Sequence, residues 1–98
     1  MQVEPLSAIQ EVLLDIVADA YSSADSMVDE VRLLLGNGVS LGQIEAGLID
    51  LRDQRLVDAY VRREGQVQFE RYRRSTLKAG VAVWWHATDE GLRRNALT

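Results

Sequence analysis

The stretch from Gly38 to Val61, GVSLGQIEAGLIDLRDQRLVDAYV, leaves this chain few options, because a capped helix must run straight into a strand there. Ser40 and Gln43 stand at the S-x-x-Q spacing of a capping box. In that arrangement the hydroxyl accepts an orphan N–H of the first turn, and the Gln side chain accepts the N–H of the cap itself. Ile44, Leu48 and Leu51 then recur at i, i+4 and i+7, one apolar stripe at helical period. From Leu56 to Val61 the period changes to two, with Val57, Ala59 and Val61 alternating against Asp58 and Tyr60.

Two helices are expected before this stretch. Residues 5–21 form the first, with Pro5 at N1, where a missing N–H costs nothing. Leu6, Ile9, Leu13, Ile16, Val17 and Ala20 make its apolar stripe, and Val12 and Leu14 widen it. So broad a face fits a central core helix, a partial dimer surface, or both. Tyr21 to Asp25 reads as a polar connection, and Asp25 or Ser26 caps the second helix. Val28, Val31, Leu34 and Leu35 are its expected buried face, and Gly36-Asn37-Gly38 ends it, since Gly and Asn tolerate the left-handed conformation. Two short helices joined by a Gly-containing turn make a helix-turn-helix.

After Val61 the charge reverses. Residues 1–61 hold eleven acids and three bases; residues 62–98 hold eight bases and four acids. Arg62, Arg63, Arg71, Arg73, Arg74 and Lys78 fall within seventeen residues, with Phe69 and Tyr72 among them and Glu64 and Glu70 the only acids. Val67, Phe69 and Arg71 alternate as a strand would, although a short helix also fits. Such a segment suits phosphate or acidic-protein contact, or else a solvated hairpin paired with the acidic half. Val81 to Ala87 is the expected return strand, with Val81, Val83 and Trp85 on one side and Ala82, Trp84 and His86 on the other. Thr88 then caps a final helix, with Asp89 and Glu90 at its positive end and Arg93 and Arg94 at its negative end. Leu92 and Leu97 can pack back on the domain or on a second subunit.

Composition narrows the classes. Ninety-eight residues, 47% hydrophobic and 27% charged, suit one globular domain over 1–98 with a modest core and little room for an enzyme pocket. No cysteine is present, so disulfides and thiolate chemistry are excluded, which fits a reducing cytoplasm. The first residues lack the basic region of a signal peptide, and no apolar run approaches the ~20 residues that span a bilayer. His86 is the only histidine and has no ligand set around it, so no metal is expected. Gly36-x-Gly38 follows a helix and is a stop signal rather than a nucleotide loop. With no acid/base dyad at useful spacing either, the expectation is a non-enzyme without a cofactor.

The same residues carry a resemblance. Gly38-Val39-Ser40, Ile44, Leu48, Leu51 and Leu56-Val57 resemble the recognition helix and first wing strand of winged helix-turn-helix proteins of the MarR/PadR type. His86-Ala87-Thr88-Asp89-Glu90-Gly91 resembles the L-T-x-E-G that follows the second wing strand there, and the likeness covers roughly residues 26 to 97. It implies an α+β fold: a three-helix core, a β-hairpin wing and a C-terminal helix. It also implies a DNA-binding transcriptional regulator that acts as a homodimer, with the third helix in the major groove. On that pattern Ser40, Gly42, Gln43 and Ala46 meet DNA from the helix, and Arg62, Arg63, Arg71, Arg73, Arg74 and Lys78 from the wing.

This sequence departs from the pattern in one respect. Arg or Lys commonly stands near Leu41, Ala46, Ile49 or Asp50 in the family, and none does here. Glu45, Asp50 and Asp53 lie on the outward face instead, and Arg55 replaces the Gly usual between helix and strand. Gln43 can pair with adenine, but its place in the capping box explains it equally. A second function therefore stands beside the first: a winged-helix protein-interaction module without DNA binding, whose wing meets an acidic partner.

Overall fold

The computed structural model describes residues 5–62, 65, 68–72 and 82–96. They form an α+β fold, with four helices and a four-stranded antiparallel sheet of order β1-β4-β2-β3. The order along the chain is α1 (Ala8–Asp19), β1 (Ser22–Ser23), α2 (Ala24–Leu35), α3 (Leu41–Asp53), β2 (Val57–Val61), β3 (Glu70–Arg71), β4 (Trp84–Ala87) and α4 (Asp89–Ala96).

The expected cap of α3 is present in full. Ser40 Oγ accepts from Gln43 N at 3.2 Å, and Gln43 Oε1 accepts from Ser40 N at 2.8 Å. The start of α1 differs from expectation, because Ser7 and Gln10 form a second capping box of the same spacing. That box satisfies the first-turn donors, so α1 starts at Ala8 and Pro5 lies before the cap. The start of α2 also differs. Ser22 and Ser23 are a strand, paired with Trp85 and Trp84, and this pairing holds Ser23 extended. An extended residue with a free hydroxyl is an N-cap, so Ser23, not Asp25 or Ser26, accepts from Ser26 N and starts the helix.

One core lies between the helices and the inner face of the sheet. Leu13, Leu14 and Val17 of α1, Met27 and Val31 of α2, and Ile44, Leu48 and Leu51 of α3 meet Leu56, Val57, Ala59, Trp85 and Ala87. Leu13 and Leu14 are both buried, which makes α1 the central helix and keeps this part of it off any outer surface. Gly47 lets α1 and α3 approach closely: a Cβ there would stand 2.8 Å from Leu13 Cδ1. Strand alternation resolves the two indoles, with Trp85 buried and Trp84 half-buried on the opposite face.

The end of α2 does not follow its expected burial. Met27 and Val31, one turn apart, fill the core position, and Val28 is half-buried. Leu34 is 62% exposed and Leu35 38%, while Leu33 reaches 84%. Periodicity continues to Leu34 and Leu35, but the last turn of α2 runs past the core it packs on. Gly36 then ends the helix at φ +101°, as the Gly-Asn-Gly run predicts.

The end of α3 is a Schellman motif. Leu56 N donates to Leu51 O and Arg55 N to Arg52 O, with Leu51 and Leu56 both buried behind the turn. Arg55 occupies the left-handed position at φ +62°, so the turn keeps its geometry without the usual Gly. Thr88 clamps it to α4: its hydroxyl donates to Arg55 O at 2.7 Å and accepts from Gly91 N at 3.0 Å. A Cβ on Gly91 would lie 1.9 Å from Leu56 O, so glycine is required at that crossing. This gives the Thr88-Asp89-Glu90-Gly91 run a mechanical reason.

Candidate interaction surfaces

The expected contact residues separate into two places. Ser40, Gly42, Gln43 and Ala46 lie on exposed positions in the first half of α3. Ser40 Oγ and Gln43 Oε1 each accept a backbone N–H in the capping box, which fixes both side chains but leaves the Gln43 amide N–H groups and the Ser40 hydroxyl hydrogen outside the box. The outward side of α3 further carries Glu45, Asp50 and Asp53, all exposed. The single base of α3, Arg52, is half-buried at its far end and donates to the Tyr72 carbonyl at 2.7 Å. Among the described residues α3 itself therefore carries no cation on its outward side, and a base beside its start is Arg32 of α2, whose Nε donates to the Val39 carbonyl at 3.0 Å.

An apolar groove of about 670 Å³ runs beside this acidic side. The first turn of α1 supplies Ile9, the end of α2 and the following loop supply Leu35 and Val39, and α3 supplies Ala46 and Gly47. Ser7, Gln10, Gln43 and Asp50 are its polar components among the described residues, and the Gln10 side-chain amide donates to the Asp50 carboxylate. Leu33 and Leu34 project from the helix end that also bears Leu35, and Leu41 and Ile49 of α3 are more than a third exposed. Isolated exposed leucines need no explanation, but several beside an open groove make an uncovered apolar surface that does. The sequence offered one signal, since three consecutive leucines cannot all face inward on one helix.

Arg62 and Arg71 sit on the other side of the molecule, on the outer face of the sheet. Register places Asp58 against His86, Tyr60 against both Trp84 and Arg71, and Arg62 at the end of the same row. Arg62 lies over the rings of Phe69 and Trp84, 5.5 and 5.6 Å from their centroids. Arg71 pairs with Asp58 at 3.0 Å. Tyr21, expected in a plain connection, stacks on Phe69 at 4.3 Å, on His86 at 4.6 Å, and meets Tyr60 edge-on at 5.0 Å. His86 Nδ1 lies 2.9 Å from the Ala87 carbonyl, an acceptor only, so that nitrogen carries a hydrogen. The Tyr60 hydroxyl is pushed above its ordinary 10.0, first by burial, then by the Asp58 carboxylate and Tyr21, with Arg71 acting the other way.

Arg63, Arg73, Arg74 and Lys78 lie outside the described residues, as do Glu64, Val67, Gly80, Val81 and Leu97. Among the described residues no three His, Asp or Glu converge on a metal-sized site, and no helix is long and apolar enough to cross a membrane.

No family model, curated protein or solved structure matches this chain.

Proposed function

We propose that this chain is a winged-helix domain used as a protein-interaction module, which holds an amphipathic, basic segment of a partner in the groove between α1, α2 and α3. The observation that carries the reading is the surface around α3. An open groove with an apolar floor of Ile9, Leu35, Val39 and Ala46 lies beside exposed Leu33 and Leu34, and the exposed acids are Glu45, Asp50 and Asp53. A helix laid in such a groove buries apolar anchors at i, i+3 and i+4, and its Lys or Arg residues meet the acids. The excess of eight acids over bases in residues 1–61 extends the same complementarity. The winged-helix part rests on the sequence resemblance, on three helices preceding antiparallel strands and a last helix, and on the Gly91 crossing.

The DNA-binding homodimer is the second reading. It is favoured by the arginines of residues 62–78 and by Arg62 held on the outer sheet face. It needs α3 to enter the major groove with acids foremost, which phosphate repulsion opposes.

A displayed library of 14-residue peptides separates the two. Selection on the wild-type chain is expected to enrich sequences with apolar residues at helical spacing and at least two Lys or Arg. The enriched peptides should lose at least tenfold in affinity for a folded Leu33→Asp/Leu34→Asp variant. If nothing enriches, and a random-sequence duplex binds with a steep salt dependence that Arg62→Ala flattens, the DNA reading takes its place.

A further inference from the structure

A second pocket, of about 460 Å³, opens where the end of α3, the edge of the sheet and the start of α4 meet. Among the described residues its lining is Arg52, Arg55, Asp58, Arg71, Tyr72 and Thr88. The described lining thus brings three arginines together with one carboxylate, and Asp58 is paired with Arg71. Among the described lining residues the bases outnumber the acids, in a volume larger than one small anion fills.

Two features make this more than an arginine cluster. Arg52 is held in place, by its 2.7 Å bond to the Tyr72 carbonyl and by its position 5.8 Å from the Tyr72 ring centroid. Tyr72 is itself fixed by its N–H on Ala59 O at 2.8 Å. Arg55 is the second feature. It occupies the left-handed corner at φ +62°, where Gly is the comfortable residue and a long side chain is strained. Its side chain makes no hydrogen bond or ion pair among the described residues, so nothing internal accounts for the arginine there. A strained residue that aims an unpaired charge into a pocket points to a ligand. Thr88 contributes shape only, because its hydroxyl is used by Arg55 O and Gly91 N. Asp89 and Glu90 follow it without lining the pocket.

We propose that Arg52, Arg55 and Arg71 form a binding site for a phosphate monoester. A doubly charged phosphoryl group suits an arginine-rich lining, and guanidinium forks match its oxygens in pairs. The space beside Tyr72 takes the group esterified to it. This site is separate from the groove at α3, and it stands whether or not the partner reading holds.

The test is a titration of the full chain with phenyl phosphate at constant ionic strength. Binding is followed by the Nε–Hε NMR signals of Arg52, Arg55 and Arg71, with parallel titrations of inorganic phosphate and dimethyl phosphate. A saturable shift of all three signals is expected, with dimethyl phosphate at least tenfold weaker because it carries a single charge. Arg55→Gly removes a charge and relieves the backbone, so it should melt no lower than wild type yet bind phenyl phosphate at least tenfold more weakly. Tighter binding of phenyl phosphate than of inorganic phosphate assigns an organic monoester; equal binding assigns the free ion, and both keep the site. The proposal is overturned by shifts that do not saturate, by unchanged affinity in folded Arg55→Gly, or by equal binding of dimethyl phosphate, which would assign a backbone phosphodiester instead.

Discussion

Two surfaces outside the core carry large apolar side chains, and they treat them in opposite ways. On the outer face of the sheet the rings cover one another: Tyr21 lies on Phe69 and His86, and Arg62 caps Phe69 and Trp84. At the end of α2, Leu33 and Leu34 are left 84% and 62% exposed beside an open groove. Apolar area that a chain covers itself contributes to its own stability. Area left uncovered contributes nothing until something else arrives. The first surface is thus a satellite of the core, and the second is available to a partner.

That contrast breaks most visibly in the helices. Leu48→Ala, at a fully buried position of α3, should cost about 3 kcal/mol through lost burial and the cavity left behind. Leu33→Ala should change stability by less than ~0.5 kcal/mol, since its side chain is already in water. Urea unfolding of both variants checks the pair. A Leu33→Ala cost close to that of Leu48→Ala would place the end of α2 in a packed environment and remove the groove reading.

On the sheet, Tyr21→Ala removes the ring that joins three others. Aromatic pairs contribute ~0.5–1.5 kcal/mol each beyond area burial, and such terms overlap when one ring serves several partners. The expected loss is about 1.5 kcal/mol in the same assay, with Tyr21→Phe near neutral. A neutral Tyr21→Ala would mean that the sheet face is no better consolidated than the leucines, and the contrast would disappear.

The smallest effect is alkaline. The fold holds Tyr60 protonated above its ordinary 10.0, mainly through burial, so the unfolded chain ionises first as pH rises. The stabilisation from this group is complete below the unfolded value and is lost as pH climbs through the folded one. The urea midpoint should therefore fall more steeply above about pH 10 in wild type than in Tyr60→Phe. Parallel curves would show that Tyr60 is as solvated as a free tyrosine.

Much of this arrangement was legible in the sequence. The Ser40–Gln43 box, the Ile44-Leu48-Leu51 stripe and the change of period at Leu56 all appear as expected, because each is a local rule with short range. The cap at Thr88 is of the same kind. What local rules missed depended on distant partners. Ser22 and Ser23 are a strand only because Trp84 and Trp85 pair with them, and that pairing moved the cap of α2. The periodicity of α2 points Leu34 and Leu35 inward, but it cannot say where the core ends. The Ser7–Gln10 box was readable by the rule applied at Ser40, and Pro5 marked the start three residues too early. Of the expected contact residues, Ser40 and Gln43 also form the capping box, and Arg62 and Arg71 also make contacts on the sheet face, roles that the sequence pattern showed only for the first pair. No sequence pattern could gather Arg52, Arg55 and Arg71 around one pocket, since the Schellman turn and the β2–β3 pairing bring them together.

The central claim is that the uncovered surface at α2 and α3, and not the covered one on the sheet, is where this chain meets its partner. The most direct test is to map an enriched amphipathic basic peptide on the ¹⁵N-labelled chain by amide shift changes. The account predicts that the shifts cluster at Leu33–Leu35, Val39, Ala46 and Asp50, while Tyr60, Phe69, Trp84 and His86 stay in place. Shifts confined to the sheet face, with the end of α2 unmoved, would contradict it.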